Sequence, residues 1–139
     1  MNVHFDSSVL VAAVVDSDAH HEACLNLLRK GGASVFVHTF AETFNTMTGG
    51  KLISRVPPSV ASEVLAVSVL PRVRPITLSA AETIAAFRET EKRGVRGGAI
   101  YDYLHLVAAR KAKAQRLYTL DFDNFQSFHR PGDPEIVHP

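Results

Sequence analysis

Val3-His4-Phe5-Asp6-Ser7-Ser8-Val9-Leu10-Val11-Ala12 is the stretch that decides how this chain folds. β-Prone Val3 and Phe5 make a short strand of Asn2 to Phe5. The turn Asp6-Ser7-Ser8 ends it, and Val9 to Val15 then forms a helix. An acid therefore stands where a strand gives way to a helix. Three more acids occupy related places. Glu42 comes soon after Val35-Phe36-Val37, Asp102 opens the helical run Ile100 to Ala114, and Asp121 follows Leu117-Tyr118-Thr119-Leu120. Strands of an α/β sheet end at its carboxyl edge, where such folds place their ligands. Four carboxylates gathered there repel one another. A hard cation between them relieves the repulsion, because Mg²⁺ takes carboxylate oxygens and waters.

Outward from that stretch, the chain alternates strands with pairs of helices. Asp18 is suited to cap a second helix, Ala19 to Lys30, which Gly31-Gly32 terminates. Ala33 to His38 reads as the second strand. Thr39 starts a helix stopped by Gly49-Gly50, and Thr39-Phe40-Ala41-Glu42 has the form of a capping box. Pro57-Pro58 begins a further helix, with Val60, Val64 and Val67 at helical spacing and a stop before Pro71. Val73 to Leu78 is extended, and Pro75 argues for an edge strand. Ser79-Ala80-Ala81-Glu82 is a second capping box, opening a helix to about Arg93. Gly94, Gly97 and Gly98 connect it to Ile100 to Ala114, and Arg116 to Leu120 is a last short strand. This order predicts an α/β fold in one domain over residues 1–139, with a central parallel sheet of about four to five strands flanked by helices. His129 to Pro139, rich in Pro and Gly, is expected to be a surface tail.

Composition narrows the function classes. The chain has 139 residues, 46% hydrophobic and 21% charged, an ordinary balance for one globular domain. The single cysteine, Cys24, excludes an internal disulfide framework and a four-cysteine zinc site. It lies on an apolar helix face, which predicts a buried thiol. No segment approaches the ~20 apolar residues of a membrane span, and a cytoplasmic protein is expected. Net charge is +1 and gives no argument for nucleic acid by itself. Between Arg88 and Arg116, however, eight basic residues face three acidic ones. A solvated helical surface explains that at least as often as a nucleic-acid footprint does; within the stretch Lys92, Arg93 and Arg96 precede Asp102 across the glycine-rich connection and are the candidates for such a footprint, an RNA contact beside the acids.

Each acid also has an ordinary explanation. Asp6 can cap the helix after it, Glu42 can complete the capping box, Asp102 suits a helix start, and Asp121 suits a turn. Capping explains acids at helix starts but does not require those starts to share one rim. Several competing chemistries lack their motifs. An aspartate-nucleophile phosphatase wants Asp-x-Asp after the first strand, and Ser8 stands in the second place. The glycine pairs lack the Gly-Lys-Ser/Thr of a phosphate-binding loop. The histidines lack zincin spacing and read as capping or surface residues. No Gly-x-Ser-x-Gly is present.

Four segments together resemble the PIN-domain nucleases. Phe5-Asp6-Ser7-Ser8-Val9-Leu10-Val11-Ala12 looks like their opening, and Thr39-Phe40-Ala41-Glu42-Thr43-Phe44-Asn45 their second motif. Tyr101-Asp102-Tyr103-Leu104-His105-Leu106-Val107-Ala108-Ala109 is similar to the third, and Thr119-Leu120-Asp121-Phe122-Asp123-Asn124-Phe125 to the fourth. The resemblance runs in the expected order over roughly residues 2 to 128. Its size is most similar to the VapC-type toxins of toxin–antitoxin pairs. It implies an endoribonuclease dependent on Mg²⁺ or Mn²⁺, a homodimer, and inhibition by a cognate antitoxin. One departure is Asn124, where the family's last motif often has Asp.

On this reading Asp6 is the central metal ligand, with Glu42, Asp102 and Asp121 holding the metal directly or through water. Ser7, Thr39, Asn45 and Thr119 are candidates to orient those carboxylates. Asp121 directly follows its strand and is assigned to the metal, whereas Asp123 is assigned to capping Asn124 to Phe128. The apolar helices Val9 to Val15 and Val60 to Leu70 offer more surface than a small sheet covers, which suits a C2 dimer. Two other classes remain open, a non-catalytic PIN-like module binding RNA or protein, and a Mg²⁺-dependent phosphatase of Rossmann-like fold.

Overall fold

The computed structural model describes residues 1–49 and 55–139. Gly50, half of the expected helix stop, lies outside them. Strand β1 (Val3–Phe5) runs into helix α1 (Ser7–Val14), then α2 (His21–Lys30), β2 (Ala33–Phe36) and α3 (His38–Thr48). Helix α4 (Pro58–Glu63) continues as a π-helical segment, Val64–Val69, and a 3₁₀ turn, Leu70–Arg72. The chain then forms β3 (Val73–Ile76), α5 (Ala80–Arg93), α6 (Ala99–Lys111), β4 (Arg116–Tyr118), α7 (Phe122–Phe128) and β5 (Glu135–Val137). The α- and π-helical stretch ends at Val69, before Pro71 as expected, and a 3₁₀ turn follows it. Pro71 sits in the first positions of the 3₁₀ turn, where its missing N–H leaves no bond unmade.

All strand pairs are parallel, in the order β3-β2-β1-β4-β5. Strand β1 is central. The chain builds outward from it through β2 and β3, then returns to its other side for β4 and β5. The order thus reverses between β1 and β4, and a crevice opens there at the carboxyl edge. Pro75 lies in β3 at the edge of the sheet, where a missing donor is tolerated. Strand β5 corrects the expected surface tail. Its residues pair with Arg116, Leu117 and Tyr118 of β4, and Ile136 is 5% exposed. Three residues with one buried side chain are too brief a pattern to register as a strand, and pairing with β4 makes it one.

Side chains alternate across the sheet. Phe5 and Val35 face α1, α2 and α3, in a core that includes Val9, Leu10, Cys24 and Leu28. Leu117 and Ile136 face the other way, against Tyr103, Leu106, Phe125 and Phe128. Cys24 is fully buried, as expected. Helix α1 buries Val9, Leu10, Ala12 and Ala13 within this chain and leaves Val11 and Val14 half-buried. Val60, Val67 and Leu70 of the second proposed surface do remain exposed.

Several helix starts differ from their sequence signals. The Ser79 box forms as expected, with Ser79 and Glu82 exchanging both bonds. The Thr39 box does not. Helix α3 begins at His38 with no side-chain cap, because the backbone N–H of Val37 is still bonded to Ile76 in the sheet. Thr39 and Glu42 are thereby released from capping. Asp18 likewise accepts from the backbone N–H of His20 in a turn, and α2 starts later than expected, at His21.

Candidate functional site

Asp6 stands at the centre of the crevice because β1 is the central strand and ends one residue before it. Its backbone N–H donates to Tyr118 O, which joins it to the end of β4. Its side chain is 1% exposed and fully engaged. Oδ1 accepts from Ser8 Oγ at 2.6 Å and from the backbone N–H of Val9 at 3.3 Å. Oδ2 accepts from Thr119 Oγ1 at 2.6 Å. The same two hydroxyls each accept a backbone N–H from the β4 exit, Ser8 from Leu120 and Thr119 from Asp121. Asp6 is therefore both the cap of α1 and the anchor of the segment that carries Asp121. Burial raises its pKa, with the Ser8 and Thr119 hydroxyls acting against that rise. Ser8 was considered in the sequence only as an absent aspartate; it is a direct partner of Asp6.

Glu42 lies one turn into α3 and points toward α6. His105 Nε2 donates to its Oε1 at 2.9 Å, and exposed His38 is 3.9 Å from the same oxygen. Burial alone would raise Glu42, but the His105 bond and field, with smaller help from Ser7 and His38, leave it below the usual range. His105 is completely buried, as is His4, which accepts or donates at Ser34 Oγ. Both overturn the expectation that the histidines are capping or surface residues. The available signal was spacing: His105 follows Asp102 by three, so the two share one face of α6.

Asp102 sits in the first turn of α6. Its pKa is pushed up to about 6, first by burial, then by the negative charge of Asp6, Asp121 and Glu42. That dependence brings all four sequence-predicted acids into one electrostatic neighbourhood. Glu42 and Asp121 line one open hollow of about 460 Å³ with Ser7, Ser8, Val11, Asn45, Thr46, Leu120 and Asp18. Asp18 is a fifth acid that sequence reading treated only as a cap. Among the described residues no Lys or Arg lines the hollow. Thr39, by contrast, is buried behind Glu42, with its hydroxyl 3.5 Å from His105 Nδ1.

Asp121 occupies the N-cap position of α7 but makes no side-chain capping bond, and Asp123 falls inside the first turn. The expected division of labour is thus corrected in part: Asp123 is not the cap of Asn124 to Phe128. Both side chains are exposed, and Asp121 alone of the two reaches the acidic hollow.

The donor set suits a hard cation in chemistry: carboxylates, hydroxyls and an amide. Among the described residues no three His, Cys, Asp or Glu side chains already converge on one coordination point. Exposed Asp121 and half-buried Asp102 have rotamer freedom that buried Asp6 and the His105-bonded Glu42 lack, so the fit is one of charge and donor type, with those two carboxylates adjusting around the others.

The basic candidates separate. Lys92 and Arg96 are exposed. Arg93 is not available for RNA. It forms an ion pair with Asp133, donates to Phe128 O and lies over the Tyr103 ring. Asp133 is 5% exposed on its side chain, so Arg93→Ala strands a buried carboxylate. Arg110, 4.0 Å away, offsets part of the loss. Arg93→Ala is expected to cost about 2 kcal/mol in chemical denaturation, against about 0.5 kcal/mol or less for Lys92→Ala or Arg96→Ala.

Comparison with known proteins places the fold. The family model described as PIN domain matches residues 3–130. No curated protein sequence matches the chain significantly. Among solved structures, it is similar to VapC20 of Mycobacterium tuberculosis, described as a sarcin–ricin loop cleaving toxin, with a TM-score of 0.70 and 18% identity over 96% of this chain and 100% of that one. It is similar to VapBC2 of Rickettsia felis, bound to a DNA fragment from its promoter, with a TM-score of 0.68 and 19% identity over 100% and 99%. FitAcB of Neisseria gonorrhoeae gives 0.64 and 17% over 97% and 96%. Among the described residues no helix is long and apolar enough to cross a membrane.

Proposed function

The chain belongs to the PIN domain family, and on that premise we propose that it is a Mg²⁺-dependent endoribonuclease, with Mn²⁺ as an alternative ion. We further propose that it is the toxin of a type II toxin–antitoxin pair, acting in the cytoplasm. The observation that carries the reading is the open hollow lined by Glu42 and Asp121 beside the anchored Asp6, with Asp102 near enough that burial and then the charges of Asp6, Asp121 and Glu42 raise its pKa. Such crowding of like charges is destabilising unless a cation neutralises it. The likeness to VapC20 and VapBC2 supports the toxin assignment, and a cognate antitoxin follows from it as partner.

Asp6, Asp102, Glu42 and Asp121 would hold the ion, directly or through water. A divalent ion bound there supplies an activated water and offsets charge developing on the phosphoryl oxygens. Asp6 is the fixed member, clamped by Ser8 and Thr119. Ser7 and Asn45 line the hollow as donors for the carboxylates or the RNA backbone. Lys92 and Arg96 attract phosphate; changing both to Ala is expected to weaken RNA binding and flatten its salt dependence. The exposed apolar side chains Val60, Val67 and Leu70 are the proposed contact of a homodimer, which a monomer at micromolar concentration in sedimentation would rule out.

Cleavage of single-stranded RNA with Mg²⁺, lost on adding chelator and regained with excess ion, is the expected result. RNA binding with no cleavage under any divalent ion would favour the non-catalytic module, and release of phosphate from monoesters would favour the phosphatase. Within the site, Asp121→Asn is expected to lower cleavage by about ten- to a hundredfold with little change in melting temperature. Asp123→Asn is expected to stay within about twofold of the parent, as for a surface position. The reverse order in a cleavage assay would shift the fourth motif by two residues.

A further inference from the structure

His105 is built into the molecule more firmly than a core-filling residue requires. Its ring meets the edge of Phe36 of β2 at 5.7 Å and 88°. Its Nδ1 is 3.5 Å from Thr39 Oγ1 of α3. Its Nε2 is 2.9 Å from Glu42 Oε1. Contacts from β2 and α3 thus fix both the ring plane and the direction of the outer N–H. The group receiving that N–H is a carboxylate 30% exposed on its side chain, at the rim of the acidic hollow. Helix α6 supplies Asp102 from the same face, three residues earlier.

Resting on the metal-nuclease reading, we propose that His105 is the positioning residue for Glu42, holding its carboxylate in the orientation that receives the divalent ion. A free glutamate side chain loses rotamer entropy when it is immobilised. Glu42 has that freedom removed in advance, because its Oε1 is tied to a ring that cannot itself turn. His38 is no substitute, being 48% exposed on its side chain and 3.9 Å from the same oxygen. Thr39 acts one step further back, orienting the ring through Nδ1. Support of this kind around a ligand is worth about ten- to a hundredfold in metal affinity.

The test is Mn²⁺ binding by calorimetry, with metal-free melting curves for each protein. His105→Gln keeps an N–H near the Nε2 position, whereas His105→Leu keeps volume and removes it. His105→Leu is expected to weaken Mn²⁺ binding by about ten- to a hundredfold, and His105→Gln to restore it to within about threefold of the parent. In a Glu42→Gln protein the His105→Leu change is expected to add nothing, as for two residues acting as one unit. Should the Leu protein fail to fold, His105→Asn, too short to reach Glu42, takes its place with the same expectation. Unchanged affinity in the Leu or Asn protein overturns the proposal, as does a Gln protein as weak as either. A parent protein that binds no Mn²⁺ overturns the metal-nuclease reading itself, and the proposal with it.

Discussion

Asp6→Asn is expected to lower Mg²⁺-dependent RNA cleavage by roughly a thousandfold, the several kcal/mol of transition-state stabilisation that a metal centre provides. The fold should survive. The amide oxygen of Asn can still accept from Ser8 and from the N–H of Val9, and its NH₂ can donate to Thr119 Oγ1, which already accepts from Asp121. A neutral amide is also cheaper to bury than a carboxylate. Asp6→Ala is a different experiment. It removes the cap of α1 and leaves the Ser8 and Thr119 hydroxyls and the Val9 N–H without their acceptor, at a cost of about 2 kcal/mol. Melting curves and cleavage rates for the two variants separate ligand from cap. Cleavage that persists in Asp6→Asn removes Asp6 from the metal. Equal destabilisation in both variants makes it chiefly a structural residue.

Removing the metal is expected to expose the repulsion among the acids, and to do so in a particular pH window. Asp102 has its folded-state pKa raised from the ordinary 3.8 to about 6. The folded protein therefore binds this proton more tightly than the unfolded chain does. Stability from this group is greatest below the lower value and is lost as pH rises from about 4 through about 6. With Asp102 partly exposed, the loss is about 1–2 kcal/mol after allowance for solvent screening. In EDTA the Asp102 contribution should thus make the protein melt higher at pH 5 than at pH 7.5. Mg²⁺ at a hundred times its dissociation constant adds about 2.7 kcal/mol. That gain should be larger at pH 7.5, because at pH 5 the ion must first displace the proton. Scanning calorimetry at both pH values, with and without Mg²⁺, measures the difference. A Mg²⁺ shift as large at pH 5 as at pH 7.5 would show that Asp102 does not share the ion.

The sequence by itself determined whatever depends on neighbours in the chain. Val3-His4-Phe5-Asp6 is a strand followed by an acid because β propensity and a turn residue are local properties. The Ser79 box forms because both of its bonds lie within four residues. Pro75 announces an edge because it has no donor to give. The order of strands and helices implied a parallel sheet, and so put Asp6, Glu42, Asp102 and Asp121 toward one rim. The tertiary structure decided the roles that need a partner far away in sequence. Thr39-Phe40-Ala41-Glu42 satisfies the capping pattern, yet the Val37–Ile76 sheet bond shifts the helix start, and Glu42 turns instead to His105, 63 residues on. Arg93 looks like a phosphate contact until Asp133, 40 residues away, takes it. Glu135–Val137 becomes a strand only because β4 has a free edge to pair with. In each case several local patterns were satisfied equally well, and burial of a charge or completion of a ladder selected one of them.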